Sequence, residues 1–594
     1  MCRIFGAFNT STTAHELRTV SALLRHGGPD AQTFIAGDDW ALGNNRLAIM
    51  APAGGQQPYR LGDVTVVYNG EIYNHRALRD QLASRGITVA DQCDGAVLPA
   101  LYLEYGDAFV DHLDGMYAIA VLDQRAEPRL LLANDHAGMK PLYYYWDSLR
   151  GQLKFASELP ALLAFSDVPA VESPLGLDAY LAHKTPFTDE TMFAGISVLP
   201  PASLLSVSRD GFSLRQRTVE RDLSAAAGSL QELLAEEVRR LRIADAPVAA
   251  VTSGGLDSSL VTALLAQLPG ELHTFNIAYS GNWPHDERAF AREVAEAAGT
   301  VHHQVELDPA DFPELLSEAV WHLGQPNADP ITLSTFALFR AVSEAGFKVA
   351  LTGDAADELF GGYGRMTAAV NGGDNWLPPY LDSLAAVPHA LRHSLYRDDF
   401  AAALVTRGSV HPDGMIHTLT SGEGSRLRRI CDAEQRWRLP SYHLRRVDHL
   451  SMASAIEVRL PFCQPAVYEY AAGLPDGRMI TEAGVKRALY ASAEGLLPAS
   501  VLNRPKQPFT LPITAMLAPG SALWTMSRDV LSEQMLRADG RLKADAVNDL
   551  FDRQAARPND TDALAIWSLA VYQLWRDQFL SGGRRAPQLQ GALA

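Results

Sequence analysis

The stretch Ser253-Gly254-Gly255-Leu256-Asp257-Ser258-Ser259 decides the fold of the second half of this chain. A short apolar run over residues 248–252 precedes it, and residues 260–266 continue it with a helical pattern. Glycines between a strand and a helix let the backbone approach a phosphate closely, and N–H groups at the start of the helix point at its charge. The serine hydroxyls add donors, and the missing Gly-Lys-Ser/Thr ending sets this loop apart from the Walker loop. We therefore predict a phosphate-binding loop; the alternative is a Gly-Ser turn that caps an ordinary helix.

Short apolar runs alternate with helical patterns beyond this loop. The runs over residues 272–277 and 348–352 are separated by helical patterns at 286–298 and 333–345. Such alternation is typical of βαβ units, so we predict a parallel sheet. From about residue 375 onward the pattern is mostly helical.

The first 205 residues have a different pattern, in which many short strands are separated by turns. The runs over residues 117–122 and 130–133 predict a hairpin. Another run, residues 64–68, ends at Asn69-Gly70, and this dipeptide is a strong signal for a hairpin turn.

Two helical patterns, at residues 75–85 and 96–105, interrupt these strands. We therefore predict stacked sheets with flanking helices for the first half. The pattern loosens over residues 206–227, so we predict two domains, over residues 2–210 and 225–582.

Composition and charge restrict the class of protein. The chain has 594 residues, 51 Lys and Arg against 69 Asp and Glu, and a net charge of −18, which argues against nucleic acid as a partner. Its four cysteines lie far apart without a CxxC pair, which fits a reducing compartment. Because the start of the sequence lacks a basic region followed by an apolar run, we expect no signal peptide, and no run of about 18 apolar residues predicts a membrane span. We expect a cytoplasmic protein that has no membrane partner.

Cys2 is the candidate nucleophile of the first half. Removal of Met1 would leave a residue that carries both a thiol and a free α-amine. The deprotonated thiol is a strong nucleophile, and the amine titrates at roughly pH 7.7–8.0, so it can act as the general base. The alternative is a small apolar residue near the start of the chain.

The glycine-serine loop resembles the pyrophosphate-binding loop of N-type ATP pyrophosphatases, which cleave ATP between the α and β phosphates. In that resemblance Asp257 is a magnesium ligand, because carboxylate oxygens suit this ion. Asp357 is the second magnesium candidate, in a segment that also holds Asp354 and Glu358. Three carboxylates at close quarters need a compensating cation or proton; the alternative is a solvated acidic loop.

Cys2 and this loop together resemble glutamine-dependent asparagine synthetases, and the resemblance covers nearly the whole chain. The motifs of the first half that carry it are Gly28-Pro29-Asp30, Arg46-Leu47-Ala48-Ile49, Gln57-Pro58, Asn69-Gly70-Glu71-Ile72-Tyr73-Asn74, Asp114-Gly115-Met116-Tyr117-Ala118, Gly138-Met139-Lys140-Pro141-Leu142-Tyr143-Tyr144 and Phe155-Ala156-Ser157-Glu158. Those of the second half are the loop itself, Gly299-Thr300-Val301-His302-His303, Asp357-Glu358-Leu359-Phe360-Gly361-Gly362-Tyr363, residues 448–459, Lys486 and Arg504-Pro505-Lys506. The resemblance implies an α+β N-terminal nucleophile sandwich of stacked antiparallel sheets, followed by an α/β ATP pyrophosphatase domain with a parallel sheet and a largely helical C-terminal part.

For the first half, the resemblance implies glutamine hydrolysis. Cys2 would attack the side-chain amide, and Asn69 with the backbone N–H of Gly70 would form the oxyanion hole. The residues that match the glutamine-binding positions are Arg46, Leu47, Ala48, Ile49, Met50, Asn69, Gly70, Glu71 and Asp94. An arginine suits the α-carboxylate of glutamine, and the two acids suit its α-ammonium.

For the second half, the resemblance implies that a carboxylate is adenylated by ATP with Mg²⁺ and that ammonia then displaces AMP. The residues that match the ATP-binding positions are Val251, Ser253, Gly254, Gly255, Asp257, Ser258, Ile277, Thr352 and Gly353. Lys486 and Asp354 match catalytic positions. Because ammonia is lost to bulk water, an internal passage between the two sites is expected. The resemblance also implies a homodimer, which is the usual oligomeric state in this family.

The chain departs from the family at several positions. Gly27 stands where arginine is usual, Asp354 where asparagine synthetases carry glutamate, and Cys463-Gln464 where Leu-Asp is usual; residues 324–330 also differ from housekeeping enzymes. These differences leave the acceptor open. Aspartate is the first choice, and the alternative is another carboxylate, in specialised-metabolite or peptide biosynthesis. More remote alternatives are a tRNA-modifying ATP pyrophosphatase and a non-catalytic binding module.

Overall fold

Strands dominate the first half of the chain and helices the second. The computed structural model describes residues 2–187, 189–209, 211–217, 228–284, 286–504 and 511–581. The strands in these residues are β1 (Cys2–Phe8), β2 (Ala31–Ala36), β3 (Trp40–Arg46), β4 (Tyr59–Leu61), β5 (Val64–Ile72), β6 (Gly115–Asp123), β7 (Arg129–Asn134), β8 (Tyr143–Asp147), β9 (Gln152–Ala156), β10 (Ile196–Val198), β11 (Ser203–Ser208), β12 (Gly211–Gln216), β13 (Val248–Val251), β14 (His273–Tyr279), β15 (Val301–Leu307), β16 (Val349–Leu351) and β17 (Glu457–Arg459). Half of the predicted boundary segment (residues 210 and 218–227) and the Pro505-Lys506 pair lie outside the described residues.

The helices follow the predicted patterns at residues 75–85, 96–105, 286–298 and 333–345. In the described residues they are α1 (Ala14–Leu23), α2 (His75–Ser84), α3 (Leu98–Tyr105), α4 (Leu159–Leu162), α5 (Gly176–His183), α6 (Leu230–Leu241), α7 (Leu256–Ala266), α8 (Arg288–Ala298), α9 (Phe312–Leu323), α10 (Ile331–Glu344), α11 (Ala356–Phe360), α12 (Gly364–Asn371), α13 (Leu377–Leu384), α14 (His389–Leu395), α15 (Asp398–Arg407), α16 (Asp413–Ser421), α17 (Arg426–Ala433), α18 (Arg445–Met452), α19 (Pro465–Gly473), α20 (Arg487–Ala493), α21 (Ala499–Asn503), α22 (Ile513–Met516), α23 (Ala522–Val530), α24 (Glu533–Asp539), α25 (Ala544–Ala556) and α26 (Asp560–Leu580). A π-helix, Glu434–Leu444, joins α17 to α18.

Two six-stranded antiparallel sheets stack in the first half, with strand orders β10-β8-β9-β1-β3-β2 and β12-β11-β7-β6-β5-β4. Successive side chains of β6 face opposite ways. Ala118 and Ala120 pack against side chains of β1, between the sheets. Ile119 and Val121 pack against α2 and α3, on the other side. The predicted stacked sheets are therefore confirmed, as is the hairpin of β6 and β7.

Asn69-Gly70 is not a hairpin turn, so this prediction was wrong. β5 runs through both residues, and they pair with Ala118 and Tyr117 of β6. Gly70 has a φ of +150°, and a Cβ there would lie 2.0 Å from the carbonyl oxygen of Met116. The glycine thus permits close approach of the neighbouring strand, and nine residues of pairing override the local turn signal.

The second half contains the predicted parallel sheet, with strand order β15-β14-β13-β16-β17. β13 lies between β14 and β16. Because the carboxyl ends of parallel strands meet at one edge, the loop after β13 and the acidic segment after β16 are brought side by side.

The two halves share a core and buried ion pairs. Trp567 and Trp575 of α26 belong to the same apolar cluster as Phe5 of β1. Asp448 of α18 accepts hydrogen bonds from Arg3 Nη1, at 2.6 Å, and from Lys140 Nζ, at 2.9 Å. These three side chains are at most 3% exposed, so one carboxylate of the second half is buried between two cations of the first. Arg3 also pairs with Glu158 of the first half, at 2.7 Å.

We expect Asp448→Ala to lower the free energy of unfolding by about 3–5 kcal/mol, because it leaves Lys140 buried without its ion-pair partner and Arg3 with Glu158 alone. Urea titration followed by tryptophan fluorescence measures this change. The matched control is Asp398→Ala, whose exposed ion pair with Lys543 should leave stability unchanged. Equal stability of the two variants would contradict a structural role for the buried pairs.

Candidate active sites

Cys2 lies at the start of β1, in the layer between the two sheets. It pairs across β1 and β3 with Arg46, and its backbone N–H donates to Asn69 Oδ1 at 3.1 Å. The side chain is 4% exposed, and burial raises the pKa of the thiol. A nucleophilic role therefore requires a base that takes the proton during attack.

Asn69 is held beside Cys2 with one donor to spare. Its carbonyl oxygen accepts from Cys2, while its Nδ2 is buried and makes no hydrogen bond within the described residues. A buried N–H without an acceptor costs about 1–3 kcal/mol. Such a group next to a nucleophile is a donor that a substrate oxyanion can use.

Arg46 is fixed at the end of β3 by carbonyls of the segment that follows it. Its Nη2 donates to Met50 O at 3.1 Å and to Ala51 O at 3.0 Å. The side chains of Leu47, Ile49 and Met50 are buried in a core shared with the second half. These three residues, which the sequence predicts to bind glutamine, therefore present only backbone groups to a ligand.

Backbone contacts also bind this segment to the second half. Asp245 accepts from Ala51 N at 2.7 Å, and Lys348 Nζ lies 3.4 Å from Ala48 O. The N–H of Ala48 donates to Asp30 Oδ2 at 2.7 Å, and Asp30 also pairs with Lys348.

The two predicted acids, Glu71 and Asp94, lie close together and are buried. Glu71 is on the same face of β5 as Asn69 and lies 3.3 Å from Arg459 of the second half. Burial, and then Asp94, raise the pKa of Glu71 well above its usual range. A ligand ammonium at this position would favour the ionised form of Glu71.

Gln57 is a site residue that sequence reasoning missed, although it belongs to a quoted motif. Its Nε2 donates to Cys2 Sγ at 3.4 Å and to Tyr68 O at 3.0 Å, and its Oε1 accepts from Tyr68 N at 2.7 Å. The Gln57 amide therefore pairs with the backbone of Tyr68 as a neighbouring strand would, and it lies against the sulfur of Cys2. A glutamine before proline carries no signal for this role.

In the second half, the predicted phosphate loop follows β13 and leads into α7. Ser253 Oγ and Ser258 Oγ are 2.9 Å apart, and Gly255 N donates to Ser253 Oγ at 3.2 Å. Gly254 has a φ of +76°, and a Cβ there would lie 2.6 Å from Ala291 N of α8. Gly254 thus permits the turn and the packing on α8.

A cavity of about 430 Å³ opens in front of this loop. The predicted ATP-binding residues on its wall are Val251, Ser253, Gly255, Asp257, Ser258, Ile277, Thr352 and Gly353. Gly353 has no room for a side chain, since a Cβ would lie 2.6 Å from Ser258 N. The loops after β13 and β16 therefore form one continuous wall.

Lys486 joins the two metal candidates. Its Nζ donates to Asp257 Oδ2 at 2.5 Å and also pairs with Asp357. Although burial alone would lower it, these two carboxylates raise the pKa of Lys486 above its usual range. Two carboxylates from separate loops thus converge on one point, and such oxygen donors fit Mg²⁺.

The three carboxylates of the acidic segment have different partners. Asp354 accepts from Thr352 Oγ1 at 2.5 Å, whereas Glu358 lies 3.0 Å from His443 Nε2. Although burial opposes it, His443 holds the pKa of Glu358 at about 2. The three negative charges predicted from the sequence therefore have separate partners: the Thr352 hydroxyl for Asp354, Lys486 for Asp357 and His443 for Glu358.

Some of the departures from the family lie away from the cavity of the second half, and others line it. The side chain of Arg3 in β1 lies directly against Gly27, since a Cβ at Gly27 would be 2.9 Å from Arg3 Cγ. An arginine is therefore present next to the position at which the family usually has one. Gln464 accepts from Arg240 Nη2 at 2.8 Å, and neither Cys463 nor Gln464 belongs to the described cavity wall. Asp354 and Asp329 do line the cavity.

None of the helices in the described part of the chain combines the length and the apolar composition that a membrane span requires.

Both halves of the chain match known protein families. Residues 229–577 match the family described as asparagine synthase, and residues 1–218 match a glutamine amidotransferase domain. The chain is 30% identical to glutamine-hydrolysing asparagine synthetase 3 of Bacillus subtilis, over 81% of this chain and 82% of that protein. It is 26% identical to glutamine-hydrolysing asparagine synthetase 1 of the same organism, over 97% and 96%, and 32% identical to asparagine synthetase B of Escherichia coli, over 61% and 65%.

The geometry around Cys2 and the loop after β13 agrees with these matches, which span both halves. The chain belongs to the family of glutamine-hydrolysing asparagine synthetases, which are ligases.

Proposed function

We propose that this enzyme transfers the amide nitrogen of glutamine to a carboxylate at the expense of ATP, and that aspartate is the acceptor. The names of the relatives support aspartate. The observation that carries the glutaminase half is the buried Asn69 Nδ2, a donor without a partner in the described residues, directly beside Cys2. A cytoplasmic location and a homodimer stay predictions.

Hydrolysis begins at Cys2. Removal of Met1 turns the nitrogen that Asn69 binds into an α-amine, which takes the thiol proton as sulfur attacks the amide carbon. Asn69 Nδ2 and the N–H of Gly70 stabilise the oxyanion. The C–N bond then breaks, ammonia leaves with that proton, and water hydrolyses the thioester to glutamate.

Arg46, Glu71 and Asp94 hold the substrate in this scheme. The guanidinium binds the α-carboxylate of glutamine, and the two acids bind its α-ammonium. Because the pKa of Glu71 is raised by burial and Asp94, binding of the ammonium favours loss of a proton from this pair.

The second half activates the acceptor. ATP lies along the loop after β13, with backbone N–H groups and serine hydroxyls around its phosphates. A carboxylate oxygen attacks the α-phosphorus, the bond to the β-phosphate oxygen breaks, and pyrophosphate leaves. Lys486 stabilises the negative charge on the oxygens of the pentavalent α-phosphorus. Ammonia, delivered through an internal passage, then attacks the acyl carbon, and AMP leaves.

Asp257 and Asp357 are the residues that would hold Mg²⁺. When bound, the ion would offset the charge of the leaving pyrophosphate.

An acceptor acid other than aspartate is a second candidate, because two residues that line the cavity stand at positions where the chain departs from the family. Asp354 is one methylene shorter than the glutamate of the family, and Asp329 lies in a segment that departs from it.

The acceptor is tested with ammonia, ATP, Mg²⁺ and a panel of carboxylates, with AMP release as the readout. We expect aspartate to give the highest kcat/KM, because the relatives are asparagine synthetases. AMP at background with aspartate, while glutaminase activity persists, would exclude aspartate. AMP release with another acid would then identify the alternative acceptor.

Cys2→Ala should lower glutamine-dependent amidation by at least about 10⁴-fold, because the nucleophile is lost. Activity with added ammonia should stay within about twofold, since the second site is intact. Cys431→Ala, at another buried thiol, is the matched control and should retain both activities. Equal loss of both activities in Cys2→Ala would refute separate sites.

Asp257→Asn should lower AMP formation by at least about 100-fold, because an amide oxygen is a weaker magnesium ligand than a carboxylate. Glutamine hydrolysis should survive. Asp529→Asn, at an exposed position, serves as the control. Normal AMP formation by Asp257→Asn would rule out this carboxylate as a ligand.

A further inference from the structure

Lys184 is a residue of the first half that lines the cavity of the second. It follows α5 in a left-handed conformation, with a φ of +69°, which is unfavourable for a side chain other than glycine. Its carbonyl oxygen accepts from Ala328 N at 2.8 Å. The strained backbone is thus held by the segment that departs from the family, and Lys184 at this position lines the cavity.

Two neighbouring cations on this wall already have strong partners. Arg365 donates to both oxygens of Glu434, at 2.8 and 2.9 Å, and Tyr380 donates to the same carboxylate at 2.9 Å. Arg446 pairs with Asp329. The short hydrogen bonds of these two carboxylates are therefore taken up by Arg365, Tyr380 and Arg446.

Two other cations are left with incomplete partners. Arg438 is 4% exposed, its Nε lies 3.5 Å from Glu434 Oε2, and its Nε and Nη1 make no hydrogen bond within the described residues. No carboxylate in the described part of the chain forms an ion pair with Lys184. A buried guanidinium with one long contact to a carboxylate and a half-buried ammonium therefore face the cavity with incomplete compensation, which is costly unless a ligand supplies the remaining charge.

The ring of Tyr442 holds both cations on one wall. Lys184 Nζ lies 5.9 Å and Arg438 Cζ 4.1 Å from the ring centroid. A tyrosine face attracts cations but does not neutralise them. The two positive groups consequently remain available to one anion.

We propose that Lys184 and Arg438 bind a second anionic group of the acceptor, so that this enzyme selects acids that carry an anion besides the carboxylate that is adenylated. The inference rests on the proposed function and names its substrate class. Aspartate meets the requirement through its α-carboxylate, and a monoanionic acid of similar shape does not. The acceptor site would then be complete only with a residue of the glutaminase half.

The charge state of Lys184 supports this arrangement. Burial, and then Arg438, lower the pKa of Lys184 to about 8; Arg446 and Arg365 act in the same direction, and Asp329 opposes them. The ammonium is therefore present below about pH 8 and is lost above it. A bound anion would favour the charged form.

The test uses the full-length enzyme with ammonia, ATP and Mg²⁺ and measures AMP. Two matched pairs of acceptors differ by one anion: aspartate against its α-amide, and succinate against succinic monoamide. A charged hydrogen bond contributes about 1.5–3 kcal/mol, so wild type should prefer the dianion of an active pair by about 10- to 100-fold in kcat/KM. Lys184→Gln should bring this preference close to one, mainly through KM.

Two further variants separate this role from a structural one. Lys543→Gln removes an exposed charge outside the cavity and should keep the wild-type preference. Lys184→Arg should restore the preference. We expect the KM of wild type to rise above about pH 8, where Lys184 loses its charge, and the KM of Lys184→Arg not to rise there, because an arginine stays protonated. Glutamine hydrolysis by Lys184→Gln reports that the variant is folded.

The outcomes distinguish the two proposals. AMP release from wild type without preference for the dianion, or a preference that Lys184→Gln leaves unchanged, overturns the inference and leaves amide ligation standing. AMP release with none of the four acids overturns the aspartate assignment and this inference with it.

Discussion

The contact of Asp448 with Arg3 and Lys140 is the interaction on which the arrangement of the two halves depends. Arg3 follows the nucleophile directly, and Lys140 belongs to the loop after β7, so one carboxylate holds two parts of the first half. Although burial opposes it, Arg3 and Lys140 hold the pKa of Asp448 at about 2. The carboxylate is therefore ionised throughout the neutral range, and the contact does not depend on pH there.

The same helix reaches the second site. Two residues before Asp448, Arg446 pairs with Asp329 on the cavity wall. α18 thus contacts the residue next to Cys2 with one side chain and the wall of the cavity in the second half with another. Because it is short and buried, a displacement at one end would be felt at the other. This helix gives the two proposed sites a direct physical connection.

Much of this architecture could be predicted from local patterns. Alternation of apolar runs with helices indicated the parallel sheet, and the loop after β13 indicated where phosphates would bind. Contacts between distant segments could not be predicted in this way. Lys184 and Gln57 carry no local signal, since each acquires its position from residues far away in the chain. Asn69-Gly70 misled for the same reason, because its glycine serves a neighbouring strand and not a turn.

The segment after Arg46 has a consequence for how such enzymes can be recombined. Its backbone is bound by Asp245 and Lys348 of the other half, and its side chains lie in a common core. The wall of the proposed glutamine pocket is therefore built jointly by both halves. A chimera that joins this first half to the synthetase half of a paralogue would inherit the motifs of the pocket but not its support. A functional chimera in this family should accordingly keep the segment after Arg46 together with the residues of the second half that contact it, and should not be joined simply at the boundary between the two sequence domains.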